Sequence, residues 1–227
     1  MVEIEHRTFA CPPCQQGVIT PHAPARPNQG GIAGASVLAD VVTKKFKLHL
    51  PLYRIRQAYK MEGVDIPEST LGDWAACVAD DLEPLVRHWE QSVLHSYCIR
   101  TDDTGVRVLD REHDNGVKKG HLWPYLSEEE CVFHYTPTRE AKGPEAHLKN
   151  ATAKYLQTDG AQGYIRLHRK GMLGVGCWMH ARRYGHSAME RGDNRASVPV
   201  LLISQMFKVE QEAKEKKLTV EQRLALR

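Results

Sequence analysis

The sequence predicts a mixed α/β fold, preceded by a helical region and a small irregular N-terminal module. Three observations carry that expectation. Residues 34–96 hold apolar side chains at helical spacing, and residues 98–135 read as strands. From 139 onward short strands alternate with helices, so antiparallel strands come first and an alternating layer follows.

The composition bounds the problem without naming a function. With 227 residues, 41% hydrophobic and 26% charged, the chain can bury a core, which excludes a disordered or collagen-like polymer. Lys and Arg number 31 against 28 Asp and Glu, a net charge of +3. That excess is too small to indicate a nucleic-acid partner; only a local basic patch would. The six cysteines are irregularly spaced, so a disulfide scaffold is excluded, and only Cys11 and Cys14 form a close pair. Met1-Val-Glu-Ile-Glu-His-Arg7 lacks the apolar stretch and cleavage site of a secretory signal. Apolar runs such as Val200-Leu-Leu-Ile203 fall far short of the ~18–20 residues that cross a bilayer. A reducing, cytoplasmic setting with no membrane partner is expected.

Taken in order, residues 1–31 are proline-rich between 12 and 27 and end in Gly30-Gly31, which reads as an irregular module and linker. Residues 32–96 form the helical region. Val37, Leu38, Val41, Val42 and Phe46 recur at helical spacing, as do Leu52, Ile55 and Tyr59 after Pro51, and Gly63 ends that second helix. A third helix is expected to place Leu71, Trp74, Ala75, Val78, Leu82, Leu85, Val86 and Trp89 on one face. Thr70 and Asp73 offer it a capping box, and Pro84 is expected to kink or restart it. A helix, a glycine turn and a capped helix outline a helix-turn-helix, although an ordinary antiparallel pair has the same outline.

Residues 97–227 make the α/β part. Strands are expected at 98–109, 121–126, 131–135, 153–157 and 174–178, with turns at Asp114-Asn-Gly116 and Lys118-Lys-Gly120. Helices are expected at 139–150, 161–170, 179–191 and 195–216. The last ten residues begin a helix that Thr219 can cap, and it is still helical at Arg227. With a lone cysteine pair near the start, this leads to the expectation of a piece of something longer.

Few residues suggest chemistry. Asp102 and Asp103 follow one strand and Asp159 follows another. Carboxylates at strand ends of an α/β fold can converge at one sheet edge, where hard oxygen ligands suit Mg²⁺ (or Mn²⁺). The same residues also serve as ordinary turns and caps. Cys11 and Cys14 supply half of a tetrahedral zinc site; His6 and His22 flank them without persuasive spacing. His180 and Arg183 lie one turn apart at a strand-to-helix junction, so His180 can face the carboxylates while Arg182 and Arg183 hold phosphates. Lys44, Lys45, Lys47, Arg54 and Arg56 can meet DNA phosphates, and a solvated helix face accounts for them as well.

These phrases, in order, resemble the transposases of the insertion sequence 66 family. The resemblance rests on His22-Ala-Pro-Ala-Arg-Pro27 with Gly30-Gly31, Leu48-His-Leu-Pro-Leu-Tyr-Arg54, and Glu62-Gly-Val-Asp65 with Ser69-Thr-Leu-Gly-Asp-Trp74. It continues through Asp102-Asp-Thr104, Leu156-Gln-Thr-Asp-Gly160 with Gly163-Tyr164, and Cys177-Trp-Met-His-Ala-Arg-Arg183. The resemblance implies an N-terminal zinc ribbon, a helical DNA-binding region and a ribonuclease-H-like core with an Asp-Asp-Glu (DDE) metal triad. Asp102 and Asp159 would be its first two carboxylates, with Asp103 in reserve for the first. The helices at 52–62 and 70–82 would bind DNA.

The departures are equally specific. One of the ribbon's two cysteine pairs is missing, and Gly105 stands where the family usually has proline. The chain ends inside what the resemblance implies is a helical insertion, and no residue matches the catalytic glutamate motif. Glu210, Glu212 and Glu221 are not promoted to that role. The implied function is DNA binding with Mg²⁺-dependent strand cleavage and transfer during transposition, a form of DNA recombination. This mobile-element chain, a fragment lacking both ends, would be catalytically impaired. The alternatives are a non-catalytic DNA-binding remnant of a decayed element, or a zinc hydrolase using Cys11, Cys14 and histidines. The implied partner is DNA at the element's ends, with a homo-oligomer open.

Overall fold

The computed structural model describes residues 7–14, 17–20, 27, 31–160, 164 and 171–227. The chain divides into two compact units, Met1–Val86 and Arg87–Arg227. The expected helix at 161–170, and His6, His22, Gly30 and Gly163, lie outside the described residues.

In the first unit, β1 (Phe9–Ala10) and β2 (Val18–Ile19) pair antiparallel, Phe9 opposite Ile19, and Cys11 and Cys14 sit exposed in the connection. Helix α1 (Ala35–Val42) runs on as a π-helical turn, Thr43–Lys47, with Leu48 N–H donating to the Thr43 carbonyl. Helices α2 (Leu52–Met61) and α3 (Glu68–Leu94) follow. Their apolar faces meet in one core of Leu38, Val41, Ile55, Tyr59, Leu71 and Trp74. Each fully buried aliphatic contributes about 1.5–3 kcal/mol. Asp40 ties this corner together. Its carboxylate accepts from the Tyr59 hydroxyl and from Lys44 Nζ, each at 2.5 Å. Burial pushes the Asp40 carboxyl up, but these two donors outweigh it and hold it below the usual range.

Helix α2 ends as expected at Gly63, whose φ is +88°. Gly63 N–H donates to the Lys60 carbonyl and Val64 N–H to that of Tyr59, the paired closure that a left-handed residue allows.

Four expectations for this region fail. Phe46 is 62% exposed rather than buried, because the π turn widens the helical period and rotates it off the α1 stripe. Thr70 is not a cap: α3 already begins at Glu68, with Leu71 N–H on the Pro67 carbonyl. Pro84 does not restart the helix, which continues from Glu68 to Leu94. A proline removes one donor, and a 27-residue helix anchored at both ends tolerates that loss. The expected apolar face is also cut in two. Leu71 and Trp74 enter the first core and Val93 and Leu94 the second, while Leu82, Leu85, Val86 and Trp89 join neither.

The second unit is built on a six-stranded mixed sheet flanked by helices. Its strands are β3 (Cys98–Thr101), β4 (Thr104–Leu109), β5 (Val117–Leu126), β6 (Cys131–Thr136), β7 (Tyr155–Thr158) and β8 (Leu173–Gly176). Strands β3 and β4 keep a single antiparallel register on β5: Thr101 faces Tyr125 and Thr104 faces Leu122. They are one strand interrupted at Asp102-Asp103. Level with the interruption stands Pro124, which has no N–H to give the ladder. On its other edge β5 pairs antiparallel with β6. Strand β3 pairs parallel with β7, and β7 parallel with β8.

Alternation along β5 turns His121, Trp123 and Tyr125 to the buried side. Trp123 and Tyr125 join Ile99, Val132, Leu148, Leu156 and Tyr164 in the second core. Helix α4 (Lys142–His147) and a 3₁₀ turn, Leu148–Asn150, lead into β7. Three helices follow: α5 (Trp178–Glu190), α6 (Ser197–Glu215) and α7 (Val220–Leu226). Thr219 caps α7 with Gln222 in a complete capping box. No helix among the described residues is long and apolar enough to cross a membrane.

Candidate active site

The register of the parallel strands places the site. Cys98, Ile99 and Arg100 of β3 stand opposite Tyr155, Leu156 and Gln157 of β7. Carried two residues further, the same register sets Asp102 level with Asp159, each just beyond a buried threonine, Thr101 and Thr158. Two residues 57 positions apart in the chain thus leave adjoining parallel strands at the same edge. The turn after Asp159 needs Gly160, whose φ is +86° and whose N–H donates to Thr158 Oγ1 at 3.1 Å.

The neighbouring carboxylates have different surroundings. Asp103 has an 11% exposed side chain and is fully engaged: Oδ1 accepts from Arg139 Nη2 at 2.7 Å and Nε at 3.1 Å, and His121 Nδ1 lies 3.0 Å from Oδ2. The Asp102 side chain is 44% exposed. Its Oδ1 accepts the Asp103 N–H at 2.8 Å, and its Oδ2 lies 3.3 Å from His180 Nε2. The charges of all three acidic residues are felt at buried Tyr164. Burial pushes that phenol above its ordinary range; Thr101 pulls it back, and Asp103, Asp159 and Asp102 each add to the rise.

His180 comes from α5, whose first turn follows β8 through Cys177. Arg182 donates from Nε to Ser204 Oγ at 3.3 Å on α6, and Arg183 is exposed. In the first unit Lys44 is held by Asp40, and its Nζ sits 4.6 Å from the Tyr59 ring centre. Arg56 is paired with Asp65 at 2.9 Å and Arg54 with the Tyr53 hydroxyl at 3.1 Å. Lys45 is half-buried. Of these cations, Lys44 and Arg56 already have carboxylate partners.

The side chains of Asp102 and Asp159 are the donor type that a hard divalent cation takes when it keeps water and substrate oxygens as its other ligands. Among the described residues there is no group of three or more His, Cys, Asp or Glu that could hold a metal ion. Cys11 and Cys14 are likewise two ligands of the four a structural zinc needs.

Sequence reasoning did not single out Arg139, and it gave His121 and Tyr164 no role. Arg139 follows a turn and belongs to no motif, so nothing short of coordinates reveals that it reaches back 36 positions to Asp103. His121 was accessible to reasoning: it precedes Trp123 and Tyr125 at strand spacing and so shares their buried face.

Comparison with known proteins supplies the lineage. The chain is similar to three proteins of Sinorhizobium fredii (strain NBRC 101917 / NGR234): "Uncharacterized protein y4jD", 28% identical over 221 residues, "Uncharacterized protein y4hP", 26% over 197, and "Uncharacterized protein y4qI", 23% over 220. These alignments take in 90%, 81% and 89% of this chain but 43%, 35% and 40% of those relatives, so the chain spans about two fifths of their length. The family model described as "Transposase IS66 family" matches residues 30–227, a stretch that holds the helical unit from Gly30 and all of the Asp102–Asp159 site. The chain therefore belongs to the IS66 family of transposases.

Proposed function

We propose that this chain is part of a transposase that binds DNA and carries two carboxylates of a Mg²⁺-dependent site for phosphodiester cleavage and strand transfer. The observation that carries this reading is the level placement of Asp102 and Asp159 on adjoining parallel strands. Support for a ribonuclease-H-like core comes from the strand order β6, β5, β3 with β4, β7, β8, three antiparallel strands followed by two parallel ones. Asp102 and Asp159 would hold the ion, which stabilises developing charge on the phosphodiester oxygens when bound. His180 would fix the rotamer of Asp102, while Asp103, clamped by Arg139 and His121, would hold the interrupted strand in place.

In the first unit, α2, the Gly63 turn and α3 would act as a helix-turn-helix, with Arg54 and Lys45 toward phosphates. Cys11 and Cys14 would contribute half of a zinc ribbon. No residue matches the family's catalytic glutamate, so strand cleavage by these 227 residues is proposed to be weak. A two-ion clamp without its third carboxylate loses support on one side.

The experiment is a Mn²⁺- or Mg²⁺-dependent nicking assay run beside salt-dependent DNA binding. Binding that weakens steeply with salt, with nicking at or below background, is the expected result. Robust turnover abolished by Asp159→Asn would refute the impairment. Absence of any DNA binding would sink the reading as a whole.

A further inference from the structure

Beside Asp159 opens a cleft of about 590 Å³ whose walls differ in character. One wall carries two exposed aromatic side chains from α5, Trp178 at 52% and Tyr184 at 62%. The rest is lined mainly by small residues, among them Gly174 and Gly176 of β8 and Ala181 of α5, with Asp159 the one ionised side chain of the lining among the described residues. A Cβ added at Gly176 would meet no atom within 4 Å, so the space in front of β8 is open.

We propose that this cleft receives one unstacked nucleobase of a DNA strand, next to the site where Asp102 and Asp159 would hold the ion. The inference rests on the DNA-processing reading above and adds a ligand subsite to it. Three features select a base over other occupants. Exposed aromatic faces stack on any base because every base has a π-face. Glycine and alanine leave a slot that a flat ring can enter, and the volume lies within the ~300–1,000 Å³ of small-molecule sites. Among the described residues the lining holds Asp159 and no cation, which disfavours a phosphate inside the cleft, while exposed Arg183, further along the same helix, can take the backbone outside it. Stacking in such a slot holds the strand in register with the carboxylates without reading sequence.

The test uses the whole 227-residue protein with single-stranded and duplex oligonucleotides, the single strand also carrying 5-iodouracil. Trp178→Ala is expected to weaken single-strand binding about tenfold, the loss of one stacked base, and Trp178→Phe to restore most of it. Gly176→Leu adds a bulky side chain to the lining and is expected to weaken single-strand binding similarly, while duplex binding through the first unit stays within twofold of wild type. Irradiation is expected to cross-link the iodinated strand to Trp178 or Tyr184. Single-strand affinities of Trp178→Ala and Gly176→Leu within twofold of wild type, with cross-links elsewhere, would overturn the cleft while leaving the DNA reading intact. No binding to either form of DNA would overturn both.

Discussion

His180 Nε2 lies 3.3 Å from Asp102 Oδ2, so the first turn of α5 is pinned to the break between β3 and β4. A residue that orients a metal-binding carboxylate affects ion affinity without touching the ion, typically by about 10- to 100-fold. His180→Ala is therefore expected to weaken Mn²⁺ binding about tenfold, read by electron paramagnetic resonance titration, and His180→Asn to recover part of it. If His180→Ala binds Mn²⁺ as wild type does, the imidazole serves packing alone.

The two neighbouring aspartates should respond differently to amidation. Asp103 is nearly buried and accepts from Arg139 and His121, so Asp103→Asn leaves both donors with a weaker acceptor. Because Arg139 is itself mostly exposed, the cost is put at about 1–2 kcal/mol rather than the ~3–5 of a fully buried pair. The Asp102 side chain is 44% exposed and its amide analogue can still accept the Asp103 N–H, so Asp102→Asn should change stability by no more than about 0.5 kcal/mol. Urea unfolding of the two variants decides this; equal destabilisation would show that Asp102 is as structurally committed as Asp103.

The sequence was most legible where local chemistry and tertiary demand agree. The β-rich segments 98–109, 121–126 and 131–135 located β3, β4, β6 and the second half of β5, and Thr219 caps α7 as expected. Lys118-Lys-Gly120, expected as a turn, instead belongs to β5 and pairs with Val106 to Val108 of β4, because the reversal is completed by Gly116 at φ +66°. Strand-end position alone marked Asp102 and Asp159 as candidates, because parallel neighbours with similar lengths bring such ends together. What stayed hidden was non-local or a matter of degree. Arg139 acts on Asp103 through the fold and not through spacing. Phe46 fits the α1 stripe in sequence and leaves it because of one π turn. The stripe from Leu82 to Trp89 has perfect helical periodicity, yet periodicity does not say which unit's core a long helix is crossing.

His147 provides a pH-dependent contribution to stability. Its side chain is buried, stacked on Tyr125 at 4.2 Å between ring centres, with His134 at 4.8 Å. Glu90 Oε1 at 3.1 Å from Nδ1 favours the imidazolium, but burial, and after it the His134 neighbour, dominates and brings the group down to about 4. The unfolded chain then binds a proton near pH 6.5 that the folded chain refuses until about 4. Stability is thus complete above pH 6.5 and declines as pH falls toward 4, by about 2–3 kcal/mol at the lower end. Thermal melts between pH 4 and 7 should lose most of this slope in His147→Phe, which keeps the stacked ring without the titration. A slope identical in wild type and variant would assign the acid sensitivity to other groups.

Helices α5 and α6 approach closely at Gly185. A Cβ there would lie 2.5 Å from Val200 Cγ2, inside van der Waals contact, and Val200 is itself buried and held in the first turns of α6. Glycine inside a helix normally costs about 1 kcal/mol relative to alanine, so an exposed glycine replaced by alanine would gain stability. Here the gain is opposed by overpacking, which costs about 1–3 kcal/mol when a buried neighbour must shift. Gly185→Ala is accordingly expected to lower stability by about 1 kcal/mol and Gly185→Leu by more. In the double variant Gly185→Ala with Val200→Ala, the missing methyls make room and the two changes should couple favourably by about 1 kcal/mol. Strict additivity in that cycle, measured by denaturant unfolding, would mean that α5 and α6 do not depend on this contact.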